Sequence, residues 1–220
     1  MIPVQDIITR AVDLLLDYDR AATDARWTDD ELIRWINDSR MAIITRKPSA
    51  CSKIANVVLV AGTLQSIPAN GTQLLDVICN MGATGTTPGR SIRRTDRQNI
   101  DDDDLFWHQG VPKAIISQFT HDDRLPREFF VSPPAIAGTQ IRIAYAAIPN
   151  AVALPTDQLD IGLENMDAVI NYVAFRAKSK DSQYANAAEA AAFYSAFQES
   201  LGTMNQTQAA VSPNQPGNSV

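Results

Sequence analysis

Apolar residues recur at helical spacing near both ends of the chain. A first amphipathic helix is predicted by residues that share this spacing, Val4, Ile7, Ile8, Ala11, Leu14 and Leu15. A second is predicted from Thr28 to Lys47, because Thr28 and Glu31 have the spacing of a capping box and a proline follows Lys47. This helix has two apolar stripes, the second formed by Ile33, Met41 and Ile44. Two stripes indicate the central helix of a small bundle.

Two more helices are predicted near the C-terminus. One begins at Leu163 and continues through Ala177, and the other runs roughly from Ser182 to Leu201 with Gly202 as its C-cap. Seven alanines between positions 185 and 196 allow close packing of the last helix. The segment from 203 to 220 is polar, without periodicity and typical of disorder by composition. We expect a neighbouring subunit or a partner protein to hold it as an extended tail.

The pattern between the helices has a period of two. Short apolar runs alternate with turn signals such as Asn70-Gly71, and Pro133-Pro134 is assigned to a turn between strands. Together these patterns predict an α+β fold, a helical bundle of two N-terminal and two C-terminal helices with an inserted, mostly antiparallel β region. The expected domains are a helical bundle of residues 1–50 and 160–202, a β domain of residues 51–159, and an extended C-terminal tail of residues 203–220.

Charge and composition exclude several classes of protein. The 220 residues carry a net charge of −6, and the pI is near 4.9. A protein that grips nucleic acid needs a basic surface, so tight binding of nucleic acid is not expected, although an acidic protein can still surround DNA without holding it. The two cysteines, Cys51 and Cys79, are expected to be reduced thiols of a protein made in the cytoplasm. No apolar run is long enough to span a bilayer, and no membrane contact is expected.

The run Asp101 to Asp104, with His108 nearby, is the first candidate for chemistry. Carboxylates bind hard cations, and a histidine can complete a transition-metal site. Adjacent aspartates point in different directions, however, and no glycine of a calcium loop accompanies them. The pattern favours a solvated acidic turn before an aromatic anchor, Phe106-Trp107, with metal binding as the alternative.

Two further clusters have both a functional and a structural interpretation. His121-Asp122-Asp123 has the residue types of an acid–base site, but no nucleophile motif accompanies it, which favours a hairpin turn. The one basic cluster consists of Arg90, Arg93, Arg94 and Arg97. Ion pairs at a subunit surface are favoured for it over a nucleic-acid site. No enzyme signature and no cofactor-binding motif remain.

The order of the elements resembles that of the phage head-to-tail adaptor, or connector, proteins. The resemblance rests on Trp27 to Trp35, on Val60-Ala61-Gly62-Thr63 through Ile67-Pro68 with Leu75-Asp76-Val77, and on the closing helices from Leu163. The strand-rich insert and the alanine-rich last helix are also similar to the tubular adaptor of short-tailed phages.

The resemblance implies a structural virion protein at the head-tail junction. Such adaptors form a dodecameric homo-oligomeric ring that joins the portal protein to the tail or nozzle protein and extends the DNA channel. The residues expected to contact partners or neighbouring subunits are Met204, Gln206, Val211, Pro213, Val220, Tyr184, Phe193, Tyr194, Phe197, Arg93, Arg94 and Arg97. Two alternatives remain: an assembly factor that leaves before the virion matures, and a metal-dependent hydrolase that uses Asp101 to Asp104.

Overall fold

The computed structural model describes residues 2–18, 25–180 and 183–211, with side chains as far as Gly202. The chain divides into two compact units. We call Met1–Ala50 with Pro149–Val220 the helical unit, and Cys51–Ile148 the β unit. Helices and mostly antiparallel sheets are both present, so the predicted α+β class is confirmed.

In its described residues the helical unit contains four long helices. They are α1 (Val4–Leu15), α2 (Asp29–Arg46), α4 (Met166–Ser179) and α5 (Ala187–Val211). Strands β1 (Ile2–Pro3) and β10 (Gln158–Leu159), which the sequence did not predict, form a two-stranded sheet in the same unit. Contacts of α4 with α1, α2 and α5 make α4 the central helix, so the central position expected for the helix after Thr28 is wrong.

Local sequence explains where α2 begins. The Thr28 hydroxyl accepts a hydrogen bond from the Glu31 N–H at 3.3 Å, and the Glu31 carboxylate accepts one from the Thr28 N–H at 3.2 Å. The predicted capping box is therefore confirmed. In the second apolar stripe, Ile33 and Ile44 are buried within the chain and only Met41 is exposed.

The last helix differs from its prediction at both ends. Asn186 caps its start, accepting hydrogen bonds from the Ala188 and Glu189 N–H groups at 3.1 and 3.2 Å. At the other end the helix continues through Gly202 to Val211. Residues 203–211 of the expected extended tail are thus helical, because this stretch contains several good helix formers and no proline.

The β unit contains two four-stranded sheets. The first has the order β2 (Ser52–Val58), β9 (Gln140–Ala147), β4 (Gly71–Met81), β5 (Pro88–Ser91). The second has the order β3 (Gly62–Ser66), β8 (Glu128–Ala135), β7 (Gln118–Thr120), β6 (Arg93–Arg94). All pairs are antiparallel except β6 with β7. A short helix, α3 (Arg97–Asp103), follows β6.

One strand contradicts the assigned turn at Pro133-Pro134. Both prolines lie inside β8, where its pairing with β3 shifts between Phe130 and Ala135. Where the register shifts, the backbone N–H groups of β8 are not needed for hydrogen bonds to β3. A strand can therefore contain prolines, which have no N–H, at that point. The Pro134 carbonyl still accepts a hydrogen bond from the Lys113 N–H at 2.8 Å.

Alternation along β9 matches its prediction. Ile141, Ile143 and Tyr145 are buried on one face, while Arg142 and Ala144 on the other face are partly exposed. The two cysteines are free and buried. The buried side chains of β9 and the two cysteines belong to the interior of the protein.

Candidate interaction surfaces

The aromatic residues expected at an interface form a cluster inside the helical unit. Phe197 is fully buried, and its ring centroid lies 5.2 Å from that of Tyr172. Tyr194 lies 4.9 Å from Phe175, and its hydroxyl accepts a hydrogen bond from Arg46 at 2.9 Å. These side chains fasten α5 to α4 and α2, and Tyr194 and Phe193 are only partly buried.

Tyr184 lies in the segment that precedes α5. Its ring is 6.0 Å from that of Trp27, and the Arg26 guanidinium lies 4.6 Å above it. A cation over an aromatic face is attracted by the ring quadrupole, so this pair holds the start of α2 against the entry to α5. Tyr184 is partly buried against the core.

A cavity of about 430 Å³ opens between α4 and the beginning of α5. It is lined by Phe175, Lys178, Ser179, Ala185, Ala187, Ala190, Ala191 and Tyr194. Lys178 also forms an ion pair with Glu189 at 2.7 Å. The small alanine side chains leave this space open, and they expose a smooth helical surface beside it.

The C-terminal residues expected to contact partners are less fully described. Met204, Gln206 and Val211 lie on the last turns of α5, for which the structure describes the backbone only. Pro213 and Val220 lie outside the described residues.

The basic cluster lies where the two sheets have adjacent edge strands. Arg90 is in β5, Arg93 and Arg94 form β6, and all three are exposed. In the described part of the chain none of these three side chains forms an ion pair. Arg97 differs, because it pairs with Asp101 at 3.5 Å and lies 5.8 Å from the Phe130 ring centroid.

The acidic run serves the local structure of the β unit. The Asp101 carboxylate accepts a hydrogen bond from the indole N–H of buried Trp107 at 2.8 Å. The Asp104 carboxylate accepts one from the Phe106 N–H at 2.8 Å. Phe106 itself is 69% exposed, so Trp107 alone acts as the expected aromatic anchor.

His108 completes this arrangement. Its ring stacks on Trp107 at 3.7 Å, and its Nδ1 is hydrogen-bonded to the Thr63 hydroxyl at 2.8 Å. Among the residues that the structure describes, no three His, Cys, Asp or Glu side chains meet in a set that could hold a metal ion. The Asp101 and Asp104 carboxylates are hydrogen-bonded to the Trp107 indole and to the Phe106 backbone.

The second histidine lies in the connection between β7 and β8, where a hairpin turn was predicted and is found. Nδ1 of buried His121 donates to the Glu128 carbonyl at 2.9 Å. A bidentate hydrogen bond from Arg124 lowers the pKa of Asp122 to about 2, helped by the Arg124 backbone N–H. The carboxylate of Asp123 lies 3.8 Å from Nε2 of His121.

Comparison with known families shows which family the chain belongs to. The family model described as "SU10 adaptor protein" matches residues 2–217, nearly the entire chain and both units. The chain belongs to the SU10 adaptor family. A search of curated proteins finds no match.

Membership in the SU10 adaptor family makes the protein a phage structural protein and a component of the virion. The family is structural rather than catalytic, which agrees with the engagement of Asp101 and Asp104 in local hydrogen bonds. Within the described residues, no helix is both long and apolar enough to cross a membrane.

One buried network was not predicted from the sequence. Arg40 of α2 is 1% exposed and donates to the Asp160 carboxylate at 3.2 Å and to the Asn150 carbonyl at 2.5 Å. Asn37 donates to the Val152 carbonyl at 2.9 Å. The network fixes the chain where it returns to the helical unit. An arginine among apolar residues at helical spacing was the available signal.

Proposed function

We propose that this SU10 adaptor forms a ring between the portal and the tail or nozzle, and that the ring extends the DNA channel. The observation that carries the proposal is the family match over residues 2–217, which covers both the helical unit and the β unit. In this proposal the neighbours are the portal protein on one side and a tail or nozzle protein on the other.

A ring around a channel needs one surface of each copy to meet a different surface of the next copy. The exposed alanine face of α5 suits such a contact, because small side chains allow close approach. Arg93 and Arg94, exposed and without an ion pair in the described part, supply charge for a second contact. We propose twelve copies, the number that the likeness to head-to-tail adaptors implies.

The distribution of charge supports passage of DNA without retention. Residues 51–148 contain nine Lys and Arg and nine Asp and Glu, so the net charge of −6 belongs entirely to residues 1–50 and 149–220. A negatively charged channel wall repels the phosphate groups of DNA. We propose that the helical unit contributes to that wall.

The C-terminal segment is the proposed contact with the portal. Deletion of residues 203–220 removes the end of α5 and the segment after it, whereas deletion of residues 212–220 leaves the described helix intact. We expect both truncated proteins to fold, as measured by circular dichroism, and to be missing from particles that contain portal protein. Normal particles with packaged DNA from either deletion would contradict this role.

A further inference from the structure

Strand β2 is an edge strand of its sheet. It pairs with β9 along its whole length, and at its end the Leu59 N–H donates to the Thr139 carbonyl at 2.8 Å. In an antiparallel ladder, alternate residues direct their N–H and C=O groups to the partner, and those between direct theirs away. Ile54, Asn56 and Val58 therefore direct their backbone groups away from β9. No described residue hydrogen-bonds to these outward groups.

The other edge strands of the β unit are short, blocked or interrupted. β5 contains Pro88, which has no N–H, and the charged Arg90. β6 consists of two arginines. Pairing of β3 is shifted between Gly62 and Leu64. Natural sheets use such devices to prevent pairing with other chains.

β2 contains no proline, and its pairing with β9 has no register shift. Its one charged residue, Lys53, lies near its start, and further along the edge Ile54 and Val58 offer apolar side chains. Ile54 and Val58 are 67% and 64% exposed. The side chain of Asn56 is fixed by the Gly85 carbonyl and by Arg142, which leaves its outward backbone groups unaffected. A rigid edge with exposed β-branched residues is the template that an added strand requires.

We propose that β2 accepts an extended segment of a tail or nozzle protein as an additional strand of its sheet. The segment supplies backbone donors and acceptors at alternate residues, about 6.8 Å apart, and apolar side chains that lie beside Ile54 and Val58. The proposal rests on the proposed function, which places a tail-side protein next to this chain. It adds the surface and the mode of recognition.

Segments of this protein are less suitable than a tail-side protein as the strand added beside β2. Pairing of β2 with β2 of a second copy would create a two-fold contact, which closes at two copies and does not propagate a ring. β5 of a neighbour lacks one donor at Pro88 and is too short to cover seven residues. The last nine residues contain two prolines and no apolar alternation.

Val58 and Val60 provide a matched pair of variants. Val60 is as exposed as Val58, at 62%, but its N–H and C=O are already hydrogen-bonded to the Gln65 side chain at 2.9 Å each. Val58→Lys places a charge beside outward backbone groups that are available to pair with another strand. Val60→Lys places a charge beside backbone groups that are already hydrogen-bonded. Ile54→Pro removes a single outward N–H without removing a bond to β9.

The test uses phage that carry each variant, with the folding of each isolated protein checked by thermal unfolding. Particles are purified, and this chain, the portal protein and the tail proteins are quantified by mass spectrometry. We expect Val58→Lys and Ile54→Pro to lower the ratio of tail proteins to portal protein at least about tenfold, a loss equivalent to about 1.4 kcal/mol. This chain should remain at its wild-type ratio to the portal, and Val60→Lys should leave both ratios unchanged.

Amide hydrogen exchange gives a second measurement that needs no variant. Exchange in residues 52–58 should be at least about tenfold slower in particles with tails than in the isolated protein. Equal exchange together with normal tails on Val58→Lys and Ile54→Pro particles would overturn the proposal. If Val60→Lys particles lost their tail proteins to the same extent as Val58→Lys particles, the proposal would be overturned too. The contact would then depend on exposed apolar side chains and not on pairing with the edge of β2.

Two other outcomes are distinguishable. An isolated dimer that Val58→Lys dissociates would assign the edge to a second copy and refute the proposed occupant. Absence of this chain from wild-type particles would refute the proposed function itself, and wild-type particles show this before any variant is made.

Discussion

Substitution of Phe197 by alanine tests whether the aromatic cluster of α5 belongs to the fold or to an interface. Phe197 is fully buried between Tyr172 and Tyr194, and the Arg46 guanidinium lies 5.3 Å from its ring centroid. Removal of a buried phenylalanine side chain costs about 3–5 kcal/mol, because it loses apolar burial and leaves a cavity. The cation contributes only about 0.5–1 kcal/mol, since Arg46 is exposed.

A loss of about 4 kcal/mol is a large fraction of the 5–15 kcal/mol that holds a typical domain together. Urea unfolding followed by the helical circular dichroism signal measures it. With a urea slope of about 2 kcal/mol/M, the midpoint of Phe197→Ala should fall by about 2 M. Ser195→Ala, an exposed change on the same helix, is the matched control and should stay within about 0.5 kcal/mol.

The result that refutes this reasoning is specific. If Phe197→Ala loses less than about 1 kcal/mol of unfolding free energy while assembly into particles fails, Phe197 serves an interface and its burial in the isolated chain misrepresents its role.

Two further predictions concern the polar contacts. The hydrogen bond from Lys180 lowers the pKa of Glu31 below its usual value of 4.5, with help from the Thr28 N–H. A lowered folded pKa means that this contribution is complete above pH 4.5 and is lost as the pH falls through the folded pKa. Unfolding midpoints across acid pH should therefore converge for wild type and Glu31→Gln, and a constant difference would contradict the assignment. Asp101→Ala should cost about 1–3 kcal/mol, because it leaves the indole N–H of buried Trp107 without its acceptor. Asp102→Ala is the control, and equal unfolding midpoints for the two variants would show that Asp101 has no special role.

Local signals in the sequence were reliable where the interaction itself is local. The capping box at Thr28 and Glu31 joins residues three apart, so its spacing alone was sufficient. Alternation along β9 worked for the same reason, because one buried face imposes a period of two.

Features that depend on distant residues were not predictable in this way. The prolines of β8 are tolerated because its partner β3 shifts register, which no local pattern reports. The central position of α4 follows from contacts with α1 and α2, which lie far from it in sequence, as well as with the neighbouring α5. Gly202 resembled a C-cap, but the helix-forming residues after it decided the outcome.

For the interaction surfaces too, the sequence predicted local features and missed those that depend on distant residues. Amphipathic spacing identified the aromatic residues of α5 but did not separate buried Phe197 from its partly exposed neighbours, since both kinds pack on the same helix. The edge position of β2 depends on strand order, because a strand is an edge only when no other strand pairs with its second side.

The most direct test of the proposed ring is the copy number of this chain in purified virions, measured against the portal protein by quantitative mass spectrometry. The proposal predicts near-equal numbers of the two chains, as expected for matching rings at the head-tail junction. Absence of the chain from mature particles would contradict it and would favour the two alternatives, an assembly factor that leaves before the virion is complete and a metal-dependent hydrolase.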